Sequence, residues 1–169
     1  MATVVSIILI VVILAVIGTK SLYDFNLKNQ AKLSFGKTFK KTGTPIVTLK
    51  DRTGKAFNFL VDTGSNLSHL KLGVVKSIAD AEKVRLVDKD GNDMPVRTIT
   101  TAGGEVMPDE YYRLTLFSGD KMLTEVFEVF DIGSAFDGWG IEIHGILGNT
   151  FLEEHKYVID FKDKNMYIK

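Results

Sequence analysis

From residue 44 onward, short apolar segments alternate with compact turn clusters, and this cadence is the strongest constraint on what the chain can fold into. Ile46, Val47 and Leu49 lead to the turn Asp51-Arg52-Thr53-Gly54-Lys55, and residues 57–61 form the next apolar segment. Residues 84–87 and 96–101 flank Asp88-Lys89-Asp90-Gly91-Asn92. Residues 114–117 and 126–130 flank Ser118-Gly119-Asp120-Lys121. Residues 141–147 follow, then residues 157–161 and 166–168 around Lys162-Asp163-Lys164-Asn165. Segments this short, bounded by Gly, Asp and Asn, predict many strands closed by hairpin turns, in a barrel or sandwich. Helical room exists only at residues 73–81 and 149–154, the latter with Asn149 as a candidate N-cap. The fold class expected is therefore all-β with one or two short helices.

The N-terminus has a different character. Residues 4–17 contain a single polar residue, Ser6. The apolar run covers residues 2–18, near the lower limit of the ~17–25 residues that span a bilayer. A buried core helix would show a polar face, and none is visible. A cleavable signal peptide is the main competitor, but no Lys or Arg precedes the run and no small-x-small site precedes Lys20. Residues 1–19 are thus expected to be a transmembrane helix that places residues 2–18 in lipid. Lys20, Lys28, Lys32, Lys37, Lys40 and Lys41 all follow the span, so the positive-inside rule puts the rest of the chain in the cytoplasm. Residues 20–43 are expected to be a basic juxtamembrane linker, solvated or resting on anionic headgroups.

Charge and composition exclude several function classes. The formal net charge is zero, but residues 1–50 hold seven Lys against Asp24 alone, leaving the remainder acidic. An acidic domain is a poor partner for phosphate backbones, so nucleic acid is not expected. The absence of Cys removes disulfides, thiolate metal sites and cysteine nucleophiles. His69, His144 and His155 are widely spaced and form no metal-ligand motif, so neither metal nor cofactor is expected. Ser65 lies in no Gly-x-Ser-x-Gly elbow and has no His-Asp pairing near it in sequence.

The sharpest motif is Phe59-Leu60-Val61-Asp62-Thr63-Gly64-Ser65. An apolar strand runs into an acid held at its end, which suits a rigidly placed catalytic carboxylate. Gly64 permits a tight turn, and the Thr63 and Ser65 hydroxyls are placed to donate hydrogen bonds that set the carboxylate's orientation. Far downstream, His144-Gly145-Ile146-Leu147-Gly148-Asn149-Thr150-Phe151-Leu152 places an apolar strand before a Gly and a short helix.

Together these two motifs resemble the retropepsin-like aspartic proteases, the clan that includes the retroviral proteases. The matching residues are Asp62-Thr63-Gly64-Ser65 and the second motif Ile146-Leu147-Gly148. Tyr157-Val158-Ile159-Asp160-Phe161 and Met166-Tyr167-Ile168 look like the final strands of cellular and bacterial members. The resemblance covers residues 44–169 and implies a retropepsin-like acid-protease β-barrel there, behind the membrane anchor. It implies Asp62 as the catalytic carboxylate, supported by Thr63, Gly64 and Ser65. It also implies a substrate-covering flap, for which Ala102, Gly103 and Gly104 are the candidates and residues 88–93 the rival. Two departures stand out. Asn149 follows Gly148 where retroviral members often carry Arg, and residues 131–140 form an extra Gly-rich loop containing Trp139, for which a packing role is expected ahead of contact with substrate.

Aspartic proteases need two carboxylates sharing one proton, and this chain has one Asp-Thr-Gly. Asp160 lacks the Gly-Ser loop and is a poor second acid. The resemblance therefore implies a homodimer with two Asp62 at its axis, hydrolysing peptide bonds of a polypeptide substrate. The alternative is a catalytically silent module of the same fold that binds peptide or scaffolds a membrane complex.

Overall fold

The computed structural model describes residues 19–20, 32–87, 89–94, 98–101, 104–108, 110–132 and 136–168. The expected membrane span, residues 2–18, lies outside them. Among the described residues no helix is long and apolar enough to cross a bilayer.

The described chain is mostly β with few short helices. Seven strands form the main sheet: β2 (Ile46–Lys50), β3 (Ala56–Val61), β4 (Ser68–Lys71), β5 (Glu82–Val84), β8 (Glu110–Ser118), β9 (Lys121–Phe130) and β10 (Gly145–Leu147). Their order is β2-β3-β10-β4-β9-β8-β5, and a further pairing of β2 with β8 at Lys50 and Phe117 curls the sheet back on itself. A three-stranded sheet of β1 (Lys32–Ser34), β12 (Asn165–Ile168) and β11 (Tyr157–Asp160) stands beside it. Among the described residues, the hairpin of β6 (Ile99–Thr101) and β7 (Gly104–Val106) pairs only with itself.

Alternation along the strands explains the core. On β3 Phe57, Phe59 and Val61 point inward between Asn58 and Leu60, and on β8 Leu114 and Leu116 do the same. They meet Leu49, Leu70, Leu123, Phe127, Leu147 and Phe151 in one cluster. Each such side chain contributes roughly 1.5–3 kcal/mol through burial. The turn after β2 is held from within. Asp51 is only 3% exposed and its Oδ1 accepts the Thr53 and Lys55 backbone N–H groups and the Thr53 hydroxyl, while Oδ2 accepts from the Ala79 N–H. Burial works to raise the Asp51 pKa, but these donors together hold it below the ordinary carboxylate value.

Two expectations are modified. The stretch expected as a linker at residues 20–43 supplies structure from Lys32 onward. β1 pairs antiparallel with β12, from Lys32 opposite Tyr167 to Ser34 opposite Asn165. Helix α1 (Gly36–Thr42) follows, and Phe35 at its N-cap position is 1% exposed. Phe35 packs against Phe39 and Phe161 with ring centroids 5.9 and 5.8 Å apart, and its N–H donates to the Lys164 carbonyl at 2.9 Å. The physical reason is the aromatic content of Leu33-Ser34-Phe35 and Phe39, which buries apolar surface despite the surrounding lysines. The folded unit thus includes residues before 44.

The second concerns the helices. Residues 73–81 hold only a 3-10 turn, Val75–Ser77. Helix α2 (Asn149–Glu154) forms as expected, but Gly148 occupies the N-cap position and Asn149 is the first helical residue. The Asn149 side chain is used elsewhere. Trp139 meets Phe136 edge to face at 5.0 Å within its own loop. Lys41 Nζ donates to the Gly140 carbonyl at 2.7 Å, which ties that loop to α1.

Candidate active site

Asp62 follows directly on β3 and is half-buried. β10 runs parallel beside β3, with Ile146 opposite Leu60 and Leu147 opposite Val61. The two motifs, some eighty residues apart in sequence, are therefore joined in the sheet. The Asp62 N–H donates to the Leu147 carbonyl at 3.1 Å, and the chain then turns through Thr63 and Gly64. The Gly64 N–H donates to Asp62 Oδ1 at 2.8 Å. The Ser65 N–H returns to the Asp62 carbonyl at 3.2 Å.

From the other side the second motif clamps this loop. The Asn149 N–H donates to the Ser65 carbonyl at 2.8 Å and the Thr150 N–H to the Asn66 carbonyl at 3.1 Å. Asn149 Nδ2 donates to the Thr63 carbonyl at 3.0 Å. The departure at Asn149 is thus a direct brace on the loop of the candidate acid. Gly148 is required by proximity: a Cβ there would lie 2.2 Å from the Leu67 carbonyl oxygen and 2.9 Å from that of Ser65. Gly145 is equally confined, since a Cβ there would lie 2.4 Å from the His69 carbonyl oxygen.

The hydroxyls do not behave as expected. The hydrogen bond to the Asp62 carboxylate comes from the Gly64 backbone, whereas Ser65 Oγ turns away. It donates to the Leu67 carbonyl at 2.8 Å and meets His69 Nε2 at 2.8 Å. Thr63 enters the network through its carbonyl. Of the flap candidates, Ala102 and Gly103 lie outside the described residues. Gly104 opens β7 opposite Thr101, so the two strands bracket them. In the rival segment Val87 and Asp93 form an isolated antiparallel bridge. Asp160 Oδ1 accepts the Lys162 and Asp163 N–H groups in the turn after β11. It lies on the three-stranded sheet, away from the Asp62 loop, and serves that turn.

Several polar groups around the loop carry no sequence motif. Ser68, fully buried on β4, accepts the Gly148 N–H at 3.1 Å. Ser68 and the Thr150 hydroxyl both hydrogen-bond to Glu125 on β9, the latter at 2.8 Å. Burial pushes the Glu125 pKa up, against the lowering effect of those two bonds. His69 on β4 is 6% exposed and stands in register with Glu128 on β9, itself 1% exposed. Their Nδ1 and Oε2 atoms are 3.2 Å apart, within ion-pair distance though without the alignment of a hydrogen bond. The fold thus supplies Ser65 with a His and a carboxylate that no local spacing revealed. The signal available in the sequence was a polar Ser-His pair inside a strand that the core needs.

His144 is structural. Its Nδ1 accepts the Asn58 N–H at 3.0 Å and its ring stands edge to face on Phe57 at 5.3 Å. Burial pushes its pKa down, which keeps it the neutral acceptor this bond requires. No cluster of three or more His, Cys, Asp or Glu placed to hold a metal ion occurs among the described residues.

No family model and no curated protein matches the chain. Among solved structures it is similar to the EIAV protease complexed with the inhibitor HBY-793. The identity is 19%, the match covers 66% of this chain and 86% of that chain, and the TM-score is 0.46.

Proposed function

We propose that the chain is an aspartic endopeptidase of retropepsin type that acts as a homodimer, tethered to a membrane by residues 2–18 with its catalytic domain on the cytoplasmic side. The observation that carries this reading is the double bracing of the Asp62 loop. β10 fixes the Asp62 backbone through Leu147, and α2 fixes the Thr63, Ser65 and Asn66 carbonyls. A loop held at both ends keeps one carboxylate in place, which is what positioning a reacting group demands.

One chain supplies one such acid, so two copies would place two Asp62 side by side about 3 Å apart, sharing a proton. The ionised carboxylate takes a proton from a water, whose oxygen attacks the scissile carbonyl carbon. The protonated partner donates to the carbonyl oxygen. Collapse of the tetrahedral adduct breaks the C–N bond as the amine leaves with a proton. The Gly64 N–H on Asp62 Oδ1 holds the carboxylate plane during these transfers. The β6–β7 hairpin is the cover this reading assigns to a bound peptide.

The test is Asp62→Asn in the full chain, incubated with a diverse peptide mixture and read by mass spectrometry for new termini. Cleavage should fall by about 10²–10⁴-fold with the fold retained, the range expected when an acid–base group is lost. Undiminished cleavage in Asp62→Asn would overturn the reading. A folded, dimeric parent that cleaves nothing would favour the silent binding module.

A further inference from the structure

Between residues 25 and 50 the sequence holds no Asp or Glu. Helix α1 lies in this stretch and turns one side to the core. Thr38 donates to the Phe35 and Ile46 carbonyls at 2.9 and 2.8 Å, and Phe39 meets Phe35. Helical periodicity then puts Lys37, Lys40 and Lys41 on the outer side, and all three are exposed. The turn between β11 and β12 abuts the same helix. A Cβ on Gly36 would lie 3.5 Å from the Lys164 Cβ, and Lys164 Nζ stands 4.2 Å from the centroid of the Phe39 ring. That turn adds Lys162 and Phe161. Phe161 is pinned edge to face against Phe35 and Phe39, yet it remains 51% exposed.

Two parts of the chain far apart in sequence thus build one face of lysines around a half-exposed aromatic ring. Asp160 and Asp163 share the turn, and Asp137 lies in the loop that Lys41 reaches, so the cations stay in surplus. Asp160 Oδ1 is engaged by the Lys162 and Asp163 N–H groups. Among the described residues no carboxylate pairs with Lys37, Lys40 or Lys162.

We propose that the outer side of α1 and the β11–β12 turn form a docking face for an anionic bilayer surface, separate from the apolar run at residues 2–18. Charge complementarity favours this occupant, since each lysine near anionic headgroups strengthens binding roughly fivefold. Phe161 supplies the apolar part that such basic surfaces sink to the level of the acyl boundary. Its ring is already held by two others, so docking orders little that was free. Reach favours it too. The apolar run ends at Gly18 and β1 begins at Lys32, so residues 19–31 span at most about 45 Å even fully extended. Helix α1 follows β1 directly, which makes its outer side part of the first folded surface after that span. A second copy is a poor occupant, because two such faces meeting at a two-fold axis would set lysine against lysine. That the face comes to a bilayer rests on the proposed tether. Docked this way, the domain presents one fixed side to the headgroups.

The chain has no Cys, so one introduced Cys carries one environment-sensitive fluorophore. The full chain is reconstituted into phosphatidylcholine vesicles with or without phosphatidylserine. The label sits at Asp163→Cys in the face, or at Asp120→Cys in the β8–β9 turn by the Lys50 end of β2. Phosphatidylserine should shift the Asp163→Cys emission to the blue and cut its quenching by acrylamide several-fold, leaving Asp120→Cys unchanged. Raising the salt should restore quenching, because the Debye length shrinks from about 10 Å at 0.1 M to about 3 Å at 1 M. Lys37→Glu, Lys40→Glu and Lys162→Glu together should abolish the protection, with circular dichroism reporting the fold. Equal quenching in the two lipids, equal protection of both labels, or protection kept in high salt or in the folded triple variant overturns the docking face. Should the triple variant lose its fold, the salt titration of the parent decides. Protection that rises with protein concentration in detergent alone makes the face an interface between copies and overturns it as well. If the full chain fails to float with pure phosphatidylcholine vesicles, the tether reading fails by itself, and flotation with phosphatidylserine present then decides. Flotation by the parent and not by the triple variant supports the docking face. Flotation that the folded triple variant keeps, or that the parent lacks, overturns it.

Discussion

At the scale of single residues, the chain hides two carboxylates in opposite ways. Asp51 is buried among four donors that favour its charge, whereas Glu125 is buried with two hydroxyls that do not offset its desolvation. Their substitutions should therefore differ in sign. Asp51→Ala strands the Thr53, Lys55 and Ala79 N–H groups and should destabilise the fold by about 3 kcal/mol, read by urea unfolding. Glu125→Gln keeps an acceptor for Thr150 and removes a charge. The folded Glu125 pKa is raised above 4.5, so the native state holds its proton more tightly than the unfolded chain and loses stability as pH rises through that window. Glu125→Gln should thus stabilise at neutral pH, on the order of 1 kcal/mol. The gain should vanish as pH falls below 4.5, and thermal melts at both pH values check it.

At the scale of elements, legibility tracked how local the cause of each element is. β2, β3, β8, β9, β11 and β12 could be seen because alternation and a Gly- or Asp-bearing turn lie within each segment. The Asp62 loop and Ile146-Leu147-Gly148 were legible for the same reason, as a strand ending in an acid and a strand ending in a Gly. β4 was not, because Ser68 and His69 are polar and become core residues only through Gly148, Glu125 and Glu128, all far away in sequence. β1 was missed because three residues show no period; pairing with β12 makes them a strand. The role of the Ser65 hydroxyl was misjudged because its partner, His69, is fixed by strand register rather than by the motif. The β1–α1 segment yields a prediction. A fragment beginning at residue 32 should fold, whereas one beginning at residue 44 strips the β12 edge and the Phe35 and Phe39 rings from Phe161. Loss of a buried Phe alone costs about 3–5 kcal/mol. With stabilities of only about 5–15 kcal/mol for a whole domain, the shorter fragment should be unfolded or molten by circular dichroism and proton NMR.

At the scale of the whole molecule, the decisive quantity is how many chains make one site. Asp160, the other acid in a strand-to-turn position of the family-like segments, is committed to its own turn. On the aspartic-protease reading proposed above, a working dyad draws its second carboxylate from another copy. That requirement makes activity a property of pairs, and pairs can be poisoned. Mixing parent with a threefold excess of Asp62→Asn, at a concentration where exchange is complete, leaves only about one pair in sixteen with two intact acids, if chains associate at random by closed two-fold symmetry. Added inactive chain should thus reduce the activity of a fixed amount of parent about fourfold, since only a quarter of parent chains then meet another parent. A monomeric enzyme would be untouched by the addition. The proposed membrane tether would raise local concentration and favour pairing, so the concentration at which activity falls off should be lower in vesicles than for the fragment beginning at residue 32. The activity of a fixed amount of parent, titrated against added Asp62→Asn, reads this directly: a loss in proportion to the intact fraction indicates two carboxylates from two chains, and no loss assigns the chemistry to a single chain.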